Sequence, residues 1–101
     1  MQEETAMFEI YFYPPAEKDF AHLHPELQSE LKNIHFAKLS LNPHIGKPLK
    51  GEFKGFWKYA ITFKGVAHRI IYEIDRGRVI IAIMMIGTRE TVYKRLRSRI
   101  R

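Results

Sequence analysis

The sequence contains no cysteine, which excludes disulfides, a thiol nucleophile and a zinc–thiolate site. It has no long hydrophobic run either. The longest, VIIAIMMI at residues 79–86, is far short of the ~20 apolar residues that span a bilayer. The N-terminus lacks a basic-then-apolar leader, so the expectation is a cytoplasmic protein with no membrane partner. No repeat, low-complexity tract or linker-like stretch divides the chain, and 101 residues are too few for two independent cores. Residues 1–101 therefore read as a single domain. Walker loops, dinucleotide fingerprints, HExxH and serine-elbow motifs are all missing, so neither a nucleotide nor another small-molecule cofactor is implied. Five histidines occur (His22, His24, His35, His44, His68). Their spacing suits surface and helix-end positions, and no metal is expected.

What is present is globular in composition, with 46% hydrophobic and 28% charged residues, which excludes wholesale disorder. The formal net charge of +6 is unevenly divided. Residues 1–46 carry three basic side chains against seven acidic ones, and residues 47–101 carry fourteen basic against four acidic. A net of +10 in one half attracts phosphate or an acidic protein.

Residues 7–13 alternate Phe8, Ile10 and Phe12 with Glu9, Tyr11 and Tyr13, the period of a strand. Pro14 and Pro15 end it, and a short helix over 16–23 follows with Phe20 and Leu23 on its buried side. A second helix is predicted over 25–41, with a stripe of Leu27, Leu31, Ile34 and Lys38 flanked by Ala37 and Leu41. Glycines and prolines then mark residues 44–55 as loop. Strands are predicted over 56–63, 66–74 and 79–86, the last apolar on both faces and hence covered on both. Thr88 can cap a basic helix over 89–100. The order implies an α+β fold: an antiparallel sheet with helices on one side.

Strand alternation groups Lys58 with Ala60 and Thr62, and Arg69 with Ala67, Ile71 and Glu73. His68 points the other way, with Ile70 and Tyr72. If neighbouring strands align as hairpins, Lys58, Arg69 and Arg89 can converge at one end of the sheet, with Tyr93 one helical turn beyond Arg89. Such a set could hold a phosphodiester and stabilise charge developing on a cleaved phosphate. The alternative is that Arg69 and Arg89 make structural ion pairs and Tyr93 only packs. Glu73 and Asp75 are expected to pair with nearby arginines.

The segments GKPLKGEFKGFWKYAI (46–61), HRIIYEID (68–75) and IGTRETVY (86–93) resemble the RelE/ParE superfamily, the small toxins of bacterial type II toxin–antitoxin modules. The resemblance implies a microbial-ribonuclease-like fold, with two N-terminal helices packed on a curved antiparallel sheet and a short C-terminal basic helix. RelE-like members are metal-independent endoribonucleases that cut mRNA in the ribosomal A site, the 2′-hydroxyl attacking the adjacent phosphate. By motif, Lys58 and Arg69 would then orient phosphate and stabilise the transition state. Arg89 would act on the leaving oxygen, and Tyr93 would stack on or orient a base. Lys50, Lys54, Lys64, Lys94 and Arg95 are the expected further contacts to RNA.

This sequence departs from the pattern at Ala60, a position that is basic in active relatives and proposed there as the general base, and at Thr88, often basic or histidine. Lys54, Lys64 or His68 could substitute for the base. Two alternatives share the fold: a ParE-like inhibitor of DNA gyrase, and a catalytically inactive relative that only binds antitoxin. All three readings imply a cognate acidic antitoxin, expected to bind the basic half with the helix over 89–100 as its contact.

Overall fold

The computed structural model describes residues 7–100. Strand β1 (Glu9–Phe12) keeps the expected alternation and is closed by the two prolines, which occupy the first turn of α1 (Pro14–Ala21). His24 caps α2 (Pro25–Glu30), its Nδ1 accepting from the Glu26 N–H at 3.1 Å. The helix continues through a π-helical turn (Leu31–His35) into α3 (Phe36–Leu41). That turn changes which residues are buried. It inserts an extra residue per turn, so the apolar stripe runs Leu27, Leu31, Phe36 and Leu39. The predicted continuation through Ile34 and Lys38 fails: Ile34 and Leu41 are 45% and 55% exposed.

The sheet has the order β1-β5-β4-β3-β2. β2 (Lys47–Pro48) is a two-residue strand inside the stretch predicted as loop, antiparallel to β3 (Trp57–Phe63). β3 returns as β4 (Val66–Asp75) through a two-residue turn in which Lys64 and Gly65 both have positive φ. This is the turn geometry that matches the twist of the strands it joins. β4 pairs antiparallel with β5 (Ile80–Thr88), and a register shift between Ile71 and Tyr72 leaves one extra residue on β5, which bends the sheet. Among the described residues only the β1–β5 pair is parallel. Strand periodicity carries no information on that sense.

Ile81 and Ile83 of β5, Ile70 and Tyr72 of β4, and Ile61 of β3 pack against the N-terminal helices. On the opposite face Ile71, Met85 and Phe53 meet Val92 and Leu96 of α4 (Val92–Arg99). The helices thus lie on both faces, not one, and β5 is covered on both as its composition demanded. α4 begins later than predicted because the ladder runs on. Thr88 pairs with His68, and the Arg89 N–H donates to the Ala67 carbonyl at 2.9 Å. No helix among the described residues is long and apolar enough to cross a membrane.

Candidate active site

Register places the cations. Ala60 lies opposite Arg69, and Lys58 opposite Ile71, so Lys58 and Arg69 are diagonal neighbours on the sheet face that also carries α4. Lys47 of β2 lies opposite Lys58 and therefore on that face too. β2 pairs with β3 only at Trp57 and Lys58. Beyond them the preceding chain peels away from β3 and opens a cleft of about 290 Å³. Residues 45–47 form one wall, and residues 58–60 with Arg69 the other. Gly46 is required in that wall, because a Cβ there would overlap the Tyr72 hydroxyl and the Lys58 carbonyl.

None of the three cations makes an ion pair among the described residues; the Arg69 guanidinium only donates to the His68 carbonyl, at 3.0 Å. The nearby acids are otherwise engaged. Asp75 pairs with Arg78, as expected, whereas Glu73 accepts from the Tyr13 hydroxyl at 2.8 Å. Among the described residues the structural ion-pair alternative is thus not realised for Arg69, nor for Arg89. Lys47 was missed in the sequence because nothing in a Gly/Pro-punctuated stretch marks a two-residue strand.

The predicted convergence is partial. Arg89 is exposed just past β5, and Tyr93 sits on α4, half-buried against the Phe53 ring with centroids 6.0 Å apart. Neither lines the cleft. Lys50, Lys54 and Lys94 are exposed and form no ion pair among the described residues. Two other proposed RNA contacts are held by carboxylates instead. Lys64 pairs with Glu26 at 2.8 Å, and Arg95 pairs with Asp19 at 2.9 Å. Arg99 also binds Asp19, at 2.8 Å, and Arg97 binds Glu52 at 2.8 Å. Much of the basic helix is therefore neutralised internally, because folding brings Arg95 and Arg99 against Asp19 of the acidic first half and Arg97 against Glu52 of the basic half itself. His68 faces away from Arg69, as alternation required, and its Nδ1 donates to the Val66 carbonyl.

Two tyrosines beside the cleft are shifted. Burial pushes the Tyr72 phenol up to about 12, only partly offset by a backbone hydrogen bond from Gly46; its hydroxyl donates to the Pro43 carbonyl at 2.6 Å. Tyr59 is raised by burial and then by the charge of Glu30. Among the described residues no three His, Asp or Glu side chains are gathered as metal ligands.

The model of one protein family, described as the ParE-like toxin of type II bacterial toxin-antitoxin systems, matches residues 10–97. The chain belongs to this toxin family. No curated protein matches it. Among solved structures, the toxin is similar to a chain of the RelBE2 toxin–antitoxin complex of Mycobacterium tuberculosis. The two are 25% identical over 87% of this chain and 98% of that one, with a TM-score of 0.71. A mutant of the E. coli toxin RelE in the free state is 21% identical over 94% and 99% of the two chains, with a TM-score of 0.72. The YoeB/ParE toxin of Agrobacterium tumefaciens is 17% identical over 80% and 98%, with a TM-score of 0.64. These neighbours share the α+β fold of the toxin described above.

Proposed function

We propose that this type II toxin is a metal-independent, ribosome-dependent endoribonuclease that cuts mRNA in the A site and is held inactive by an acidic antitoxin. The observation that carries the reading is the cleft in which Lys47, Lys58 and Arg69 share one face with no carboxylate partner among the described residues. Cations left unpaired beside an open cleft are suited to an anionic ligand. Lys58 and Arg69 hold the phosphodiester and stabilise the charge that builds on its oxygens as the 2′-oxygen attacks. Arg89, at the solvated end of β5, reaches the leaving oxygen when the ribosome presents the mRNA across this face, and Tyr93 stacks on a base. Lys50, Lys54 and Lys94 contact the backbone of the RNA. The antitoxin neutralises the same surface, drawing on these free lysines rather than on the arginines of α4.

Expression without antitoxin, followed by mapping of mRNA 5′ ends, tests this. New ends that appear in vivo and are reproduced by the purified toxin only when ribosomes are present support it. Unaltered mRNA together with trapped DNA gyrase would instead select the gyrase-inhibitor reading, which the uncharged Ala60 favours.

A further inference from the structure

Glu30, His35 and Tyr59 form a hydrogen-bonded chain from the helices to the cleft. His35 Nε2 lies 2.9 Å from a Glu30 carboxylate oxygen, and Nδ1 lies 2.8 Å from the Tyr59 hydroxyl. The His35 side chain is 13% exposed. The chain depends on the π-helical turn. Residues five apart in an α-helix point about 140° away from each other at 3.6 residues per turn. In the π turn they stack, as the Phe36 N–H to Leu31 carbonyl bond records, and Glu30 meets His35. π turns recur at functional sites. An ionised carboxylate can only accept, so in neutral His35 the proton sits on Nε2 and the bare Nδ1 accepts from Tyr59. The Tyr59 oxygen keeps a lone pair free for an incoming donor.

Tyr59 comes from the opposite face of β3 to Lys58, and both residues border the cleft, which lies along the stretch of the β3 edge that β2 leaves unpaired. The other polar side chains in its walls are the cations Lys47, Lys58 and Arg69, none of which accepts a proton while charged. We propose that Glu30, His35 and Tyr59 act as a proton relay serving this cleft, with Tyr59 as the general base toward the RNA 2′-hydroxyl; the proposal rests on the cleavage reading. The 2′-hydroxyl proton passes to Tyr59 Oη while the phenolic proton passes to His35 Nδ1. The resulting imidazolium is held by Glu30. The 2′-oxygen bonds to phosphorus, the bond from phosphorus to the 5′-oxygen breaks, and that oxygen takes a proton from a water whose hydroxide is neutralised by the proton the imidazolium returns through Tyr59. This is the logic of a hydroxyl–imidazole–carboxylate triad with a phenol in the hydroxyl's place. The titratable groups facing the pair are Glu30 and, across Tyr59, Tyr72.

The test is single-turnover cleavage of ribosome-bound mRNA against pH by the wild type, Tyr59→Phe, His35→Gln, Glu30→Gln and the Tyr59/His35 double variant, with melting temperatures measured alongside. Loss of a general base costs on the order of 10²-fold. Tyr59→Phe and His35→Gln should each lose about that much, flatten the fall in rate on the acid side, and combine with little further loss. A wild-type toxin that never cleaves overturns relay and nuclease reading together. If the wild type cleaves and Tyr59→Phe retains its rate and pH profile, the relay alone is overturned. Lowered melting temperatures with an unchanged profile mean a structural clamp and overturn it too. ¹⁵N NMR of the wild-type chain gives a reading that needs no variant to fold: His35 should carry its proton on Nε2, and a proton on Nδ1 alone refutes the proposal.

Discussion

Asp19→Asn should loosen the hold of α1 and β5 on α4. The Asp19 carboxylate sits on α1 with its side chain only 7% exposed. It receives Arg95 at 2.9 Å, Arg99 at 2.8 Å and the Ile86 N–H at 3.1 Å, and so ties α1 and β5 to the C-terminal helix. Removing one member of a well-buried ion pair costs about 3–5 kcal/mol, because the partner keeps its charge without compensation. Here Arg95 is 43% exposed and can rehydrate, whereas Arg99 is 19% exposed and has less freedom to do so. Asparagine can still accept from the Ile86 N–H. The loss should therefore fall nearer ~2–3 kcal/mol, which for a domain of this size is a drop of roughly 10–20 °C in melting temperature. Thermal unfolding at neutral pH measures it. Burial alone would raise the Asp19 pKa, but the Arg99 hydrogen bond, the Ile86 N–H and the two arginine charges outweigh it and hold the carboxyl below its ordinary 3.8. A lowered folded value gives stability that is fully present above the unfolded pKa and is lost as pH falls through the folded one. The gap between wild type and variant should accordingly close in strong acid. A drop of under about 3 °C, or a gap that is constant with pH, would refute the reasoning.

Arg69→Ala and Lys58→Ala should each reduce cleavage by an amount equivalent to a few kcal/mol in the transition state while leaving the melting temperature nearly unchanged; wild-type rates in either variant remove that residue from the site. Tyr72→Phe leaves the Pro43 carbonyl without its partner and should cost about 1–3 kcal/mol in urea unfolding. The phenol's folded value of about 12 lies above its ordinary 10.0, so the wild-type advantage is full below pH 10 and disappears as pH rises through 12. An advantage that persists undiminished in strong alkali would contradict this account. Gly46→Ala should push residues 45–47 off β3 and lower both stability and cleavage, since the added Cβ overlaps the Tyr72 hydroxyl and the Lys58 carbonyl. Hydrogen exchange at β2 that matches the wild type would show that the wall accommodates the methyl group.

Much of this protein is a matter of local pattern. The alternation of β1, the apolar run of β5 and the turn at Lys64-Gly65 determine strands and hairpins because backbone period and turn chemistry act over a few residues. The pairing of Lys58 with the Arg69 face follows from the same period. What tertiary structure alone decided lies between distant segments. The π turn moved the buried stripe from Ile34 to Phe36 and Leu39, since only packing against the sheet sets the phase of a helix whose every phase is partly apolar. α4 lies on the far face, and its arginines are spent on Asp19 and Glu52, so the charge counted along the chain overstates what the surface presents. Lys47 enters the cleft through a two-residue strand, and Glu30, His35 and Tyr59 meet across separations that no spacing rule connects. Short-range sterics are written in neighbouring residues, whereas which charges are neutralised and which stay free depends on contacts that exist only once the chain has closed on itself.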